Sequence, residues 1–168
     1  MDLICDTREH KSEFDRIAKQ IRSVGGVSII RSKLYVGDYM SLDNPRLVID
    51  RKKDLLELCG NVTQQHERFR AELVRAQEHN IKIVILCEHG DEIQTMADVI
   101  FWKNPRALEM EWKMINGHPA KVQKYPKATQ GDQLYKSLKT ISERYGVSFQ
   151  FCNKRQTGSR IVEILRGE

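Results

Sequence analysis

No apolar run among these 168 residues is long enough to span a membrane, and the N-terminus lacks a signal-peptide pattern. Neither a helical membrane protein nor a conventionally secreted one is expected. Cysteine is sparse, and Cys5, Cys59, Cys87 and Cys152 lie too far apart to give a zinc-ligand spacing. Three of them fall in apolar runs that read as buried strands, which suits reduced core thiols in a soluble cytoplasmic protein. Internal repeats and low-complexity tracts are absent, which excludes a repeat array.

What is present is the composition of a globular domain, with 30% charged and 40% hydrophobic residues. The length suits one domain, residues 1–168, whose core needs no staples. The charge is uneven. From Lys103 onward there are 13 Lys and Arg against 6 Asp and Glu, whereas the preceding residues carry 15 against 17. A basic C-terminal part beside an acid-rich N-terminal part suits one surface for phosphates and a local acidic site for metal. A lysine-rich helix surface kept for solubility gives the same count.

The most informative stretch runs from Tyr35 to Glu57, YVGDYMSLDNPRLVIDRKKDLLE. It reads as two strands joined at Asp43-Asn44-Pro45. Closure about Asn44 sets Asp38 opposite Asp50, with Cβ atoms about 5 Å apart. Alternation places Val48, Asp50 and Lys52 on one face and Leu47, Ile49 and Arg51 on the other. Two carboxylates and an ammonium then converge at one end of a hairpin. Such acids can hold a hard divalent cation through oxygen. The cation polarises a phosphate and lowers the pKa of a bound water. The lysine orients that water or offsets charge in the transition state. The competing reading is a solvated hairpin, because an acid and a lysine two residues apart recur by chance. Asp38, placed after a glycine and twelve residues before Asp50, supplies the second ligand that favours the site.

Around this hairpin strands and helices alternate. Leu3-Ile4-Cys5 is a short strand ending in Asp6-Thr7-Arg8-Glu9, followed by a helix capped by Ser12. Phe14, Ile17, Ile21 and Val24 form its apolar face, and Gly25-Gly26 stops it. Asp6 and Glu9 either join Asp38 and Asp50 at the sheet's carboxyl edge or favour the dipole of that helix. Val27 to Arg31 is a strand. Lys53 to Cys59 is helical, with a break at Gly60-Asn61. A longer helix from about Thr63 to His79 buries Phe69, Leu73 and Ala76 and leaves Gln65, Arg68 and Arg75 for solvent or for phosphates. Ile81 to Cys87 is apolar throughout and reads as a strand covered on both faces. Residues 92–128 read as an irregular insertion. Met96 to Trp102 is helical there, and Leu108, Trp112 and Ile115 suggest a further helical face. Lysines interleaved with Trp102, Trp112 and Tyr125 either clamp nucleic acid or belong to a lid packing its own aromatics. A helix bearing Leu134, Leu138, Ile141 and Tyr145, a strand over Val147 to Cys152, and a helix from Thr157 complete a three-layer α/β domain around a mixed sheet.

Three segments carry a family resemblance: ICDTREH, LYVGDYM and VIDRKKDLLEL. Together they resemble the nuclease domain of the XPF/Mus structure-selective endonucleases, within the PD-(D/E)XK, restriction-endonuclease-like superfamily. The resemblance covers most of residues 1–90 and 130–168. It implies a three-layer restriction-endonuclease-like fold and a Mg²⁺- or Mn²⁺-dependent DNA endonuclease acting on branched or flap-like DNA, in repair or recombination. Gly37-Asp38 and Asp50-Arg51-Lys52 stand where the family has Gly-Asp and Glu-Arg-Lys. The implied metal ligands are Asp6, Glu9, Asp38 and Asp50. Lys52 positions the attacking water, and Arg51 braces the site or meets the phosphate. Two features depart from the pattern. Asp50 replaces a glutamate, and the family's last aspartate falls on Leu56, leaving Glu57 as an accessory acid one residue later. These departures also support a second reading, a catalytically silent DNA-binding or scaffold module. The chain has no room for the tandem helix-hairpin-helix module common in the family. Its choice of DNA is therefore expected from its own surface, from a homodimer or from a protein partner. The compact form resembles phage or mobile-element members of this type.

Overall fold

Residues 1–167 are described in the computed structural model. Strand β1 (Asp2–Cys5) is followed by α1 (Lys11–Val24), β2 (Ser28–Arg31), β3 (Tyr39–Ser41) and β4 (Asn44–Lys52). Helices α2 (Leu55–Thr63) and α3 (His66–Glu78) lead to β5 (Lys82–Glu88). Two short 3₁₀ segments, Met96–Phe101 and Pro105–Leu108, precede β6 (Met110–Ile115) and β7 (His118–Gln123). Then come α4 (Gly131–Tyr145), β8 (Ser148–Cys152) and α5 (Thr157–Arg166).

Six strands form one mixed sheet in the order β2-β1-β3-β4-β5-β8. Strand β3 runs antiparallel to both its neighbours, and the other pairings are parallel. The alternation along β5 explains the layers. Ile83, Ile85 and Cys87 pack with Leu58, Phe69 and Leu134 of α2, α3 and α4. Val84 and Leu86 pack with Ile17, Ile21 and Ile161 of α1 and α5. Helices thus cover both faces, as an unbroken apolar strand requires. Helix α1 ends where expected, at Gly25, whose φ of 81° lies in the left-handed region. Its cap is His10 rather than Ser12.

Tyr39 faces Ile49 and Met40 faces Val48, the register that closure about Asn44 predicts. The turn is displaced, however. Strand β4 already begins at Asn44, Pro45 lies within it, and a register shift between Met40 and Ser41 sets Ser41 opposite Asn44. The irregularity absorbs the extra residues of the β4 strand and leaves the bend to Leu42 and Asp43.

Two expectations are corrected. Gly60-Asn61 does not break α2, which continues to Thr63 because Leu58, Cys59 and Val62 pack into the core. That burial offsets a glycine cost of about 1 kcal/mol. Within residues 92–128, Leu108, Trp112 and Ile115 share no helical face. Met110–Ile115 and His118–Gln123 pair as an antiparallel hairpin. Its turn is Asn116-Gly117, with φ of 51° and 81°. Asn-Gly is the dipeptide that favours such tight turns.

Candidate active site

The site is built where β3 approaches the carboxyl end of β4. Gly37 permits the approach: its φ is 70°, and a Cβ there would lie 2.3 Å from Val48 Cγ1. The next residue, Asp38, is fixed three times. Its N–H donates to Ile49 O at 2.8 Å, its carbonyl accepts from Asp6 N at 2.8 Å, and its Oδ2 accepts from Arg51 N at 2.8 Å. Asp50 is buried on the face of β4 shared with Lys52, whose Nζ donates to Asp50 Oδ1 at 2.8 Å. The ammonium also sits over the Phe69 ring of α3, 5.6 Å from its centre.

The electrostatics follow from burial. Loss of hydration and then the negative charge of Asp50 push the Asp38 carboxyl well above the usual carboxylate range. Burial likewise raises Asp50, against the opposing pull of Lys52, and Glu72 adds repulsion. Burial disfavours the Lys52 ammonium, but Asp50 and Asp38 override this and raise its pKa, so it stays charged. The result is a sequestered cluster of two acids and one ammonium in which Asp38 holds its proton more tightly than a free carboxyl does.

That donor set fits a hard cation. Mg²⁺ is usually held by one or two carboxylates and completes its shell with water and substrate phosphate. Among the described residues no three acids, histidines or cysteines are grouped so as to hold a metal ion by themselves.

The other expected site residues lie elsewhere. Asp6 is fully buried, but its Oδ1 accepts from Arg8 N and Nε at 2.6 and 2.8 Å. Its Oδ2 accepts from Leu34 N at 2.7 Å and Arg8 Nη2 at 2.9 Å. With both oxygens so engaged, Asp6 ties the end of β1 to the chain ahead of Gly37. Glu9 and Arg51 join on the opposite face of β4, Nη2 to Oε1 at 2.8 Å, and Tyr39 Oη donates to Glu9 Oε2 at 3.1 Å. The structure therefore brings Asp38, Asp50 and Lys52 together and leaves Asp6 and Glu9 outside that group. Arg51 braces β4 from behind: it also donates to Glu88 Oε1 at 3.2 Å. Glu57 is in the first turn of α2, where its Oε2 accepts from Lys53 N at 3.0 Å, while Asp54 caps the helix by accepting from Glu57 N at 2.7 Å.

Two acids were missed in the sequence. Glu72 of α3 accepts from Gly37 N at 3.0 Å and bears on Asp50 by charge. Its place beside Leu73 in an amphipathic helix hid it, although it is one turn from Phe69, which underlies Lys52. Glu88 ends buried β5 and accepts from Arg16, Arg51 and Thr157. A strand ending in an acid was the available signal.

Cations flank the pocket. On one side a trough of ≈ 390 Å³ leads from Lys52 past Lys53 and Gln64 to Arg68 and Arg106. Elsewhere, Arg8, Lys33 and Arg75 surround Leu34 and Tyr35 in a second hollow. Trp102 is not available there, since it is only 8% exposed and packs in the core.

A six-stranded mixed sheet between two helical layers, with acids and a lysine gathered at one strand end, defines the restriction-endonuclease-like class of fold. Within it, a family model for the ERCC4 domain matches residues 5–165. This chain belongs to the ERCC4 domain family. It is similar in structure to XPF from Aeropyrum pernix, with a TM-score of 0.64 and 17% identity over 99% of this chain and 64% of that one. Against XPF from Aeropyrum pernix in complex with DNA the TM-score is 0.62, at 17% identity, over 98% of this chain and 63% of that one. The chain thus spans just under two thirds of the length of these structures, and at this identity the likeness is one of fold. Among curated proteins no similar chain was found. No helix of the described residues is long and apolar enough to cross a membrane.

Proposed function

We propose that this chain is a divalent-metal-dependent endonuclease that hydrolyses phosphodiester bonds in DNA, preferring branched or flap-like substrates. The observation that carries the reading is the convergence of Asp38 and Asp50, whose charges disfavour each other, with the Lys52 ammonium at one strand end. Membership of the ERCC4 domain family supports nuclease chemistry, and the flanking arginines and lysines support an anionic polymer as substrate.

Asp38 and Asp50 would hold Mg²⁺ or Mn²⁺, which when bound would polarise the phosphate and acidify a water. Asp38 enters with its carboxyl already aligned by the Arg51 amide, so little ordering is left for binding to accomplish. Lys52, held cationic, would face the phosphate oxygens and offset the charge that develops on them, or fix the position of the attacking water. Arg51 keeps the strand in place from the other face, and Glu72 holds Gly37. Water attacks directly, so no covalent enzyme intermediate is needed.

The test is incubation with labelled forks, flaps, four-way junctions and plain duplex, in Mg²⁺, Mn²⁺ and EDTA. Cleavage in metal alone, lost in Asp50→Ala with binding kept, is the expected result. Equal cleavage by Asp50→Ala overturns the mechanism. Tight binding without product under every metal condition instead selects a silent DNA-binding module, a reading favoured by Asp50 standing where the family pattern has glutamate.

A further inference from the structure

The β6–β7 hairpin is hydrogen-bonded into a sheet of its own, apart from the six-stranded sheet. Alternation puts Met110, Trp112 and Met114 on one face. All three are exposed, Trp112 to 71%. Across the ladder Lys121 pairs with Trp112 and Pro119 with Met114. From Lys103 to Lys127 the chain carries six Lys and Arg against two acids. Both acids are paired within the hairpin region, Glu111 with Lys113 at 2.8 Å and Glu109 with Lys124 at 3.6 Å. The surface is therefore aromatic, apolar and net positive together.

The hairpin also stands at the end of a path from the candidate active site. The trough that begins at Lys52 shares Leu56, Gly60, Gln64 and Arg106 with an adjoining hollow of ≈ 470 Å³, distinct from the one around Tyr35. That hollow ends at Lys124, Tyr125 and Lys127, directly after β7. Arg106 and Lys124 both sit over the Tyr125 ring, 5.6 and 5.2 Å from its centre. Gly60 adds to the opening, since a Cβ there would meet nothing within 4 Å.

We infer that the Met110–Gln123 hairpin receives an unpaired DNA strand, with bases stacked on Trp112 and the backbone led by Arg106, Lys124 and Lys127 toward Lys52. A single strand offers free base faces and a flexible backbone, and aromatic side chains interleaved with cations are what bind it. In a duplex the base faces are already stacked on one another, so Trp112 discriminates between the two. A second copy of this chain fits the surface less well, because apposed hairpins would bring Lys121 and its neighbours against like charge. Delivery of the strand to Lys52 rests on the nuclease reading. Binding of the strand to the hairpin does not.

The test exploits the two tryptophans, of which Trp102 is buried and Trp112 exposed. The whole chain is titrated in EDTA with a 15-nucleotide oligo(dT), with a matched duplex and with a flap, following tryptophan emission. The expected result is strong quenching by oligo(dT) and flap, lost in Trp112→Phe although binding persists by anisotropy. Trp112→Ala is expected to weaken oligo(dT) binding about tenfold while duplex binding holds. Lys121→Glu weakens oligo(dT) binding as well and makes its loss with salt shallower, because one fewer phosphate is neutralised. Unchanged oligo(dT) affinity in Trp112→Ala overturns the inference. So does a shift from dimer to monomer in that variant by sedimentation, which would make the face a self-association surface. Since no metal is present, failure of cleavage and failure of strand binding are separate outcomes.

Discussion

Arg51 and Glu9 clasp each other through two hydrogen bonds, Nη2 to Oε1 at 2.8 Å and Nε to Oε2 at 3.1 Å, behind the strand that presents Asp50. Arg51 also meets Glu88, itself 1% exposed. Removing the guanidinium leaves Glu9 with the Tyr39 hydroxyl alone and Glu88 with Arg16 and Thr157. Arg51→Ala is expected to cost about 3–5 kcal/mol of folding stability. Urea unfolding reads this directly, and an unchanged midpoint with unchanged slope contradicts the bracing role.

Lys52 lies on the other face, and under the proposed function its loss should register in turnover. Taking away one preorganised group that meets transition-state charge lowers kcat by about 10²–10³-fold. Lys52→Ala is expected to show that loss on a flap substrate, with DNA affinity in EDTA little altered. A variant that binds weakly but turns over normally would relocate Lys52 from chemistry to binding.

Asp38 gives the pH dependence. Its carboxyl is raised by burial and by Asp50, so the folded chain keeps a proton that the unfolded chain has released above about pH 3.9. Stability tied to this group is full below the unfolded pKa and falls as pH climbs toward the raised folded value. Asp38→Asn removes that penalty. Thermal melts should show the variant gaining on the parent more at pH 7.5 than at pH 5. Mg²⁺ should raise the parent's Tm in proportion to its logarithm and leave Asp38→Asn unmoved. Equal gains at both pH values would break the link to ionisation.

Gly37 is expected to tolerate no side chain. At φ 70°, an added Cβ would lie 2.3 Å from Val48 Cγ1 and 2.9 Å from the Ile49 carbonyl. Strain and overpacking together make Gly37→Ala destabilising by about 2–4 kcal/mol. Equilibrium unfolding measures it, and a neutral substitution would mean that β3 and β4 can separate locally without cost.

Much of the site was legible because a strand has a period of two. Spacing alone placed Asp38 against Asp50 and put Lys52 on the same face, and the observed Tyr39–Ile49 register agrees. The bend at Leu42-Asp43 was not legible, since the shift at Ser41 trades turn chemistry for pairing. Asp6 and Glu9 have partners that the sequence did not announce. An acid near a strand end can face a cation or a guanidinium, and only the folded chain shows Arg8 and Arg51 arriving first. The β6–β7 hairpin was missed although Asn116-Gly117 announced it, because the apolar spacing of Leu108, Trp112 and Ile115 was read at helical period. Helix α2 outlasted Gly60 because core packing outweighs a single weak helix former.

Strand β4 lies inside the sheet, paired antiparallel with β3 and parallel with β5 from Leu47 to Lys52. Backbone amides held on both sides and shielded by helices above and below open only when the whole sheet comes apart. Deuterium uptake at Ile49 through Arg51 should then track global unfolding, whereas the self-paired Met110–Gln123 ribbon should exchange in fluctuations that leave the sheet intact. On that expectation Asp50 is mounted on a slowly exchanging strand, and the ribbon adapts to the irregular geometry of a substrate without disturbing it.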